Sequence, residues 1–410
     1  MFKKYLLSVV TFSAAIFLSK AQLIIEPQSV DAVLVENGSS PILEGSAILG
    51  NEGYFVWGGS VIRGEDGRYH MFYSRWPSGP DKDNFGDGWL TGSEIAYAVS
   101  DHADHGFTFV KVVLQGQGKE GRSSAWDGQS VHNPHIQRFN GTYYLYHTGS
   151  TYPGKQPEGS PGANLSRRNL IQQSQQIGLV TFNSMEDLLQ GNINRSNAPL
   201  LSPRTRVKDG DVLHPSPEGT KTKPDNLIVV NPSVVRRKSD GKYLLYFKGN
   251  QYVPSWRGIH GVAISDSPSG PFKPRDEFVF DVRDEDGKLA SAEDPYVWYH
   301  EESDLYYTVF KDFTGKITGD EPGLALMKSS DGIHWEKPEN AMFMPLSLEL
   351  KTGQTVKVNR LERPQFLIGE DGLPKVLYAA CSLNPLNEKK DGSSFNVQIP
   401  LKSYYKKGSI

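Results

Sequence analysis

Five copies of one short pattern constrain the fold of this chain more than any other feature. In four copies a polar residue precedes a proline, an apolar strand follows, and an aromatic strand comes after a turn rich in glycine or charge. These copies contain Asn133-Pro134, Asn231-Pro232, Asp294-Pro295 and Arg363-Pro364, and a fifth copy without the proline starts at Trp57-Gly58-Gly59-Ser60. Imperfect repeats of a strand hairpin are typical of radial β architectures. The sequence therefore predicts an all-β fold, a five-bladed β-propeller in a single domain.

The strands that follow the hairpins repeat as well. Ala98-Val99-Ser100-Asp101, Ala263-Ile264-Ser265-Asp266 and Met327-Lys328-Ser329-Ser330-Asp331 echo one another in register with their hairpins. A final strand at 395–401 is expected to pair with the first blade and close the ring, which would remove an exposed sheet edge. Polar surface loops are expected at 77–92 and 152–175, and one helical turn at 185–189.

The first 21 residues have the pattern of a secretory signal. Lys3 and Lys4 precede an apolar segment at 5–18, and a small residue, Ala21, stands before Gln22. The alternative is a membrane anchor, but the apolar run is shorter than the roughly 20 residues that a spanning helix needs. We expect cleavage before Gln22, a catalytic domain over 22–410, and a secreted or periplasmic protein without membrane insertion after cleavage.

Charge and cysteine content exclude several classes of function. The formal net charge is -3, with 44 basic and 47 acidic residues mixed along the chain, so no basic footprint predicts nucleic-acid binding. Cys381 is the only cysteine and has apolar neighbours, which favours an inert core residue over a catalytic thiol. No residues show the spacing of a zinc site, so no metal and no cofactor is predicted.

The propeller geometry predicts where a site would lie. The innermost strands of all blades converge on one axis, so the residues at the start of each inner strand should share one funnel. Glycoside cleavage uses a pair of carboxylates, and here the carboxylates would come from different blades with amide, histidine and aromatic groups between them. The residues expected in this funnel are Trp57, Asp127, His132, Asn133, Asn231, Glu293, Asp294, Glu362 and Arg363.

The repeats resemble those of five-bladed propeller glycoside hydrolases of family 43 and its relatives in families 32, 68 and 117. The likeness is carried by the hairpins that open with X-Pro, by Ala263-Ile264-Ser265-Asp266-Ser267-Pro268-Ser269-Gly270-Pro271-Phe272 and by Asp331-Gly332-Ile333-His334-Trp335. The resemblance implies an aspartate base on the first blade, a tuning aspartate on a middle blade and a glutamate acid on another. This chain departs from that set, because Trp57-Gly58-Gly59-Ser60 stands on the first blade and Asn-Pro on the second and third. The chain therefore resembles a divergent relative of these families.

Three carboxylates are the candidates for catalysis: Glu293, Glu362 and Asp127. Glu293 and Asp294 are adjacent, so on a regular strand only one would face the axis, and we favour Glu293 as acid or nucleophile with Asp294 orienting its neighbours. Glu362 is either catalytic or an ion-pair partner of Arg363. Asp127 either supplies the missing base from a loop or caps a turn.

Other polar and aromatic residues are candidates for substrate binding. Glu94 would provide an acid if the first blade acts from an outer strand, and His132, Asn133 and Asn231 would hydrogen-bond to sugar hydroxyls. Arg363 would bind an oxyanion. Lys248 and Lys311 end aromatic strands and would suit an acidic sugar, while Trp57 and Trp76 would stack on a sugar ring.

Together these features predict an exported glycosidase, exo-acting on plant or algal oligosaccharides. Two alternatives remain open on the sequence. The first is a propeller-type glycoside phosphorylase, in which phosphate would contact Arg363, Lys248 or Lys311. The second is a carbohydrate-binding propeller without catalytic activity.

Overall fold

The structure, a computed structural model, describes residues 22–36, 40–252, 255–283, 287, 289–319, 321–338 and 341–406. The predicted signal segment, 1–21, lies outside the described residues. In the part that is described, no helix is long and apolar enough to cross a membrane.

Strands make up most of the regular structure. In chain order they are β1 (Gln22–Pro27), β2 (Val33–Val35), β3 (Ile42–Glu44), β4 (Ile48–Leu49), β5 (Tyr54–Arg63), β6 (Tyr69–Pro77), β7 (Glu94–Ser100), β8 (Thr108–Leu114), β9 (Ser130–Phe139), β10 (Thr142–Ser150), β11 (Gln176–Phe182), β12 (Asn194–Arg195), β13 (Val230–Arg236), β14 (Tyr243–Gln251), β15 (Arg257–Ser265), β16 (Lys273–Pro274), β17 (Ala292–His300), β18 (Leu305–Asp312), β19 (Gly323–Ser329), β20 (Trp335–Glu336), β21 (Met342–Pro345), β22 (Ser347–Glu349), β23 (Thr355–Lys357), β24 (Arg360–Ile368), β25 (Pro374–Ser382) and β26 (Ser394–Lys406). The helices are α1 (Phe85–Thr91), α2 (Arg167–Gln173), α3 (Met185–Gln190) and a 3₁₀ turn (Gln117–Glu120).

These strands form five antiparallel blades, which confirms the predicted propeller. Four blades follow the chain as β5-β6-β7-β8, β9-β10-β11-β12, β13-β14-β15-β16 and β17-β18-β19-β20, and the fifth is β24-β25-β26-β1. The innermost strands β5, β9, β13, β17 and β24 pack against one another in sequence, and β24 packs against β5. The ring is therefore closed around one axis.

Closure of the ring differs from the prediction. Strand β26 was expected to pair with the first blade, but it is the third strand of the fifth blade, and β1 pairs along its outer half with Leu23 opposite Tyr405. Because β26 is 13 residues long, its N-terminal half can also pair with β4, where Leu49 lies opposite Asn396. The two ends of the chain thus complete one blade, and β1 covers an edge that would otherwise be exposed.

The apolar core lies between neighbouring blades. Phe72 and Ile95 of the first blade, for example, pack with Ile136, Leu145 and Val180 of the second. Cys381 is fully buried in another such cluster, where burial raises the pKa of its thiol. This environment agrees with the core role expected for it.

One backbone irregularity recurs in every inner strand and explains the proline pattern. Gly58, Asn133, Asn231, Asp294 and Arg363 have φ values of +46°, +52°, +59°, +62° and +55°. In all five strands the pairing register with the next strand shifts at this point. Four of these residues precede a proline, which has no N–H to give to a strand ladder, so the bulge forms where the ladder would be broken anyway.

Candidate active site

A cavity of about 230 Å³ lies at the end of the propeller axis where the inner-strand bulges meet. It brings together residues from all five blades, which is the convergence that the sequence predicted. Predicted site residues that line it are Trp57, Trp76, His132, Asn133, Asn231, Lys248, Glu293, Asp294, Glu362 and Arg363. Asp127, Glu94 and Lys311 do not line the cavity, although Lys311 contacts Glu362, which does.

The bulge residues form a hydrogen-bonded chain across four blades at the base of the cavity. Asn133 Nδ2 donates to Asn231 Oδ1 at 2.5 Å, and Asn231 Nδ2 donates to Asp294 Oδ1 at 2.6 Å. The Arg363 side chain donates to Asp294 Oδ1 at 3.3 Å, and its backbone N–H donates to Asp294 Oδ2 at 3.1 Å. Asp294 is thus held by the blades on both sides of its own.

The environment of Asp294 favours its protonated form more than water does. Burial raises the pKa of this carboxyl to about 6; the positive charge of Arg363 opposes the rise, and the negative charges of Glu293 and Glu362 add to it. The carboxylates of Glu293 and Glu362 are therefore close enough to act electrostatically on Asp294. In glycosidases, the different environments of neighbouring carboxyl groups raise the pKa of one above that of the other. One group then serves as the acid and the other as the base or nucleophile.

Both members of the Glu293-Asp294 pair line the cavity, whereas we expected only one of them to face the axis. The expectation assumed a regular strand, but the pairing of β17 with β18 shifts register between Glu293 and Tyr296, and Asp294 takes the left-handed conformation. The bulge breaks the alternation of side chains. The Asp294 side chain is 4% exposed and that of Glu293 is 21% exposed, so Glu293 is the more accessible of the two.

Each of the two glutamates is paired with lysine from a neighbouring strand. Lys248 Nζ donates to Glu293 Oε1, and Lys311 Nζ donates to Glu362 Oε1 at 3.2 Å. Arg360 approaches the same Glu362 oxygen at 3.6 Å. The pairing of Glu362 with Arg363, which was one of the two sequence hypotheses, is replaced by these contacts, because the bulge directs Arg363 to Asp294.

Gly58 explains why the first blade lacks the Asn-Pro or Asp-Pro of the others. A Cβ atom on Gly58 would lie 3.0 Å from Cγ and 3.1 Å from Cβ of Arg363. A side chain at this point of the ring would crowd the Arg363 side chain, which would have to shift by a few tenths of an ångström. The glycine of Trp57-Gly58-Gly59-Ser60 thus suits the arginine in the fifth blade.

We expect Gly58→Ala to lower the free energy of unfolding by about 2–4 kcal/mol, because a left-handed alanine is strained by about 1–2 kcal/mol and crowding against a packed side chain adds a similar amount. Gly67→Ala is the matched control: Gly67 has φ +81° with nothing within 4 Å of the added Cβ, so only the backbone strain applies. Urea unfolding of both variants measures the difference. Equal losses would contradict the proposed contact with Arg363.

Asp127 is held in a buried ion pair within the second blade. Its Oδ2 accepts hydrogen bonds from Arg195 Nε at 3.0 Å and from an Arg195 terminal nitrogen at 2.6 Å, and its Oδ1 accepts one from Gln117 at 2.5 Å. Asp127 is fully buried. Burial raises its pKa, but contact with His147 and the charge of Arg195 outweigh that effect and lower it. We therefore propose a structural role for Asp127.

The neighbour of Asp127 in the sequence reinforces this interpretation. Trp126 fills a slot left by two glycines, since a Cβ atom would come within 2.6 Å of its ring at Gly149 and within 2.4 Å at Gly178. Glu94, the other carboxylate outside the cavity, is bound by Arg75 Nε and Lys119 Nζ, each at 3.1 Å. Both carboxylates therefore have charged partners of their own.

Two short helices contribute cavity walls that sequence reasoning missed. Phe85 and Trp89 of α1 and Gln172 of α2 line the cavity, although 77–92 and 152–175 were expected to be loops. The signals in the sequence were the N-caps: the side chains of Asn84 and Ser166 accept hydrogen bonds from backbone N–H groups three residues later. Other lining residues that were not predicted are Gln175, Ile228, Val230, Asn250, Trp256 and Arg360. The helical turn predicted at 185–189 is present as α3.

Several polar atoms of the cavity residues are buried and have no hydrogen-bond partner among the described residues. They are Trp76 Nε1, His132 Nδ1, Gln175 Oε1, Asn250 Oδ1 and Arg363 Nε. Burial and the charge of Arg363 lower the pKa of His132 to about 3, so its ring is neutral at pH 7. Because Nε2 accepts from the Gln175 amide at 2.9 Å, the ring proton lies on Nδ1. These atoms have almost no accessible surface, so they lie behind the wall of the cavity.

Side chains that commonly bind metal ions are not grouped in the described part of the chain. No group of three or more histidine, cysteine, aspartate or glutamate side chains is arranged there to hold an ion. The chemistry that the site offers is that of carboxylates, cations and aromatic surfaces.

Comparison with known proteins shows which solved structures have a similar fold. No protein-family model matches the chain, and no curated protein matches it. Among solved structures, a complex of BT0996 with RGII is 12% identical with a TM-score of 0.56, over 89% of this chain and 93% of that one. A thermostable family-43 glycoside hydrolase is 10% identical with a TM-score of 0.50, over 87% of this chain and 96% of that one.

A third structure is Zg3597, a family 117 glycoside hydrolase of the marine bacterium Zobellia galactanivorans. It is 15% identical with a TM-score of 0.48, over 95% of both chains. The fold assignment rests on the first two structures. The predicted resemblance to five-bladed propeller glycoside hydrolases is thereby confirmed as a distant likeness of fold.

Proposed function

We propose that this glycoside-hydrolase-like propeller is an exported, exo-acting glycoside hydrolase that cleaves plant or algal oligosaccharides. The observation that carries the proposal is the meeting of Glu293, Asp294 and Glu362 in one small cavity with tryptophan walls. These carboxylates come from two blades and are separated by up to 69 positions in the chain, so the packing of the fourth blade against the fifth brings them together. Convergent carboxyl groups beside aromatic surfaces are what hydrolysis of a glycosidic bond requires.

In this mechanism Glu293 and Glu362 are the catalytic pair. One of them, protonated, gives its proton to the glycosidic oxygen as the bond to the anomeric carbon breaks, and the other, as carboxylate, activates a water molecule or attacks that carbon. Asp294 acts as a positioning residue, because it is buried beneath them and already accepts hydrogen bonds from Asn231 and Arg363. Trp57 and Trp76 supply faces for the apolar side of the sugar ring.

The size and shape of the cavity favour attack at a chain end. Its volume of about 230 Å³ is below the roughly 300–1,000 Å³ of sites that bury larger ligands. The hydrogen-bonded bulges close its base, so a polysaccharide chain has no way through. A terminal sugar fits such a cavity better than an internal one.

A carbohydrate-binding propeller without catalytic activity is the second candidate. It is favoured by Gly58, which stands where the resemblance implies a first-blade aspartate, and by the pairing of Glu293 with Lys248. Phosphorolysis is a third outcome, in which the cations near the cavity would hold phosphate.

One assay separates the three functions. The purified protein is incubated with aryl glycosides and with plant and algal oligosaccharides, in buffers with and without inorganic phosphate. We expect release of single terminal sugars without phosphate. A product that forms only with phosphate and carries it would show a phosphorylase, and saturable binding without any product from the bound sugar would show a binding protein.

A further inference from the structure

The charges around the cavity do not balance. Three cations are each matched by one carboxylate: Lys248 with Glu293, Arg363 with Asp294 and Lys311 with Glu362. Arg360 is a fourth cation, and its only carboxylate neighbour among the described residues is Glu362, 3.6 Å away, whose same oxygen already accepts from Lys311 at 3.2 Å. Among the described residues that line the cavity and their direct ion-pair partners, four cations therefore face three carboxylates.

Arg360 is the most accessible of these four cations. Its side chain is 25% exposed, compared with 5% for Lys311 and 2% for Arg363. Arg360 is the first residue of β24 and Arg363 lies three residues further, at the bulge on the axis. The exposure thus rises from the base of the cavity toward its opening, where Arg360 is available to a ligand.

The Arg360 guanidinium is also held in a fixed orientation. One terminal nitrogen donates to Asn387 Oδ1 at 2.7 Å, and the group lies 5.2 Å from the centre of the Phe85 ring. Phe85 in turn packs edge-on against Trp57, with ring centroids 5.0 Å apart. A planar cation that is fixed beside an aromatic wall presents its remaining N–H groups to a carboxylate or sulfate with little loss of entropy.

We propose that the cavity takes a sugar that carries a negatively charged group, a carboxylate or a sulfate ester, and that Arg360 binds this group. The inference rests on the proposed function for its choice of ligand, a sugar, but it concerns binding and not cleavage. It makes Arg360 a residue that determines specificity, and it gives the surplus cation a partner. A neutral sugar would leave the surplus charge at the cavity without a counter-charge.

Binding of monosaccharides tests the inference independently of turnover. D-galacturonate, D-glucuronate and D-galactose 6-sulfate are compared by calorimetry with the neutral sugars D-galactose and D-glucose. We expect one of the charged sugars to bind about 10- to 100-fold more tightly than its neutral parent, the size of one charged, bidentate hydrogen-bonded contact. Preference for a uronate identifies the carboxylate, and preference for the sulfated sugar identifies the sulfate ester.

Arg360→Met should abolish this preference, and Arg360→Lys should keep part of it because the charge remains while the fork is lost. Arg167→Met is the matched control: Arg167 also lies over an aromatic ring, 5.2 Å from the centre of Tyr152, but it does not line the cavity. If Arg360→Met does not fold, the lysine variant and the weakening of wild-type binding by salt still report on the contact.

Equal binding of charged and neutral sugars, or failure of the charged sugars to bind at all, overturns the inference. A preference that survives Arg360→Met overturns the role of Arg360. Cleavage of neutral glycosides without preference for charge would refute the inference and leave the proposed function standing. A charge preference without cleavage of any glycoside would do the reverse.

Discussion

Replacing Glu293 by glutamine is expected to lower kcat about 100- to 10,000-fold, the range that a positioned proton-transfer group contributes. Glutamine keeps the shape of the side chain but neither gives nor takes the proton of a carboxyl group. Glu362→Gln is expected to lose a similar factor, because hydrolysis needs both carboxyl groups. Sugar binding should change far less, since the tryptophan walls of the cavity remain.

The measurement combines kcat on the best substrate of the assay with calorimetric binding of the released sugar. Glu302→Gln is the control, because this exposed glutamate follows β17 and does not line the cavity. In the variant that lacks both glutamates, the loss should be smaller than the product of the single losses, because the two groups act in one reaction. Turnover within twofold of wild type in both single variants would exclude these glutamates as the catalytic pair.

The raised pKa of Asp294 makes the pH profile of activity in Glu293→Gln informative. A loss of activity in Glu293→Gln accompanied by a shifted pH profile would be expected, because removing one negative charge lowers the pKa of Asp294 from its raised value of about 6. A variant that only loosened the structure would reduce activity without moving the profile. The profile thus distinguishes the loss of a charge beside Asp294 from a damaged fold.

The sequence predicted the architecture because the repeated elements are local. Each copy of the X-Pro hairpin contains the proline that breaks the ladder and the glycine or charged turn that reverses the chain, so neighbouring residues determine each blade. The same reasoning brought Glu293, Glu362, Asn133, Asn231 and Arg363 to one axis. Their meeting depends only on ring closure and not on any particular contact.

Features that depend on contacts between distant residues could not be predicted from the sequence in this way. The pairing of β1 with β26 joins residues at opposite ends of the chain, and Gly58 is explained only by the side chain of Arg363, 305 positions away. The bulge that brings both Glu293 and Asp294 to the cavity breaks the strand alternation on which sequence reasoning relied. Arg360 was missed because its surplus charge is visible only once the other ion pairs are known.

Asp127 illustrates the same limit, and it provides the second large effect. We expect Asp127→Asn to lower the free energy of unfolding by about 3 kcal/mol, the lower end of the range for breaking a buried ion pair, because the Arg195 guanidinium keeps only the half-exposed carboxylate of Glu120, 4.0 Å away. The Arg195 side chain is 9% exposed and Asp127 is fully buried, so solvent screens little of the interaction. Asparagine retains the shape but has one acceptor oxygen in place of two, so the loss includes hydrogen bonds from Arg195 or Gln117 as well as the charge.

Three measurements identify the role of Asp127. Urea unfolding gives the loss of stability, and the double variant Asp127→Asn/Arg195→Met should recover much of it, because removing both charges of a buried pair is far less harmful than removing one. In the folded single variant, kcat should stay close to that of the wild type. A loss of kcat as large as that of Glu293→Gln, without a loss of stability, would make Asp127 the loop-borne base that the sequence suggested.

The pH dependence of unfolding gives an independent check on the same pair. The folded-state pKa of Asp127 is lowered, so the carboxylate contributes stability above its unfolded value near 3.9, and this contribution is lost as the pH falls through the folded value. Asp127→Asn has no such group to protonate. The stability difference between wild type and variant should therefore be constant near neutral pH and shrink in acid. A difference that stayed the same down to acid pH would mean that the negative charge of Asp127 is not what stabilises the second blade.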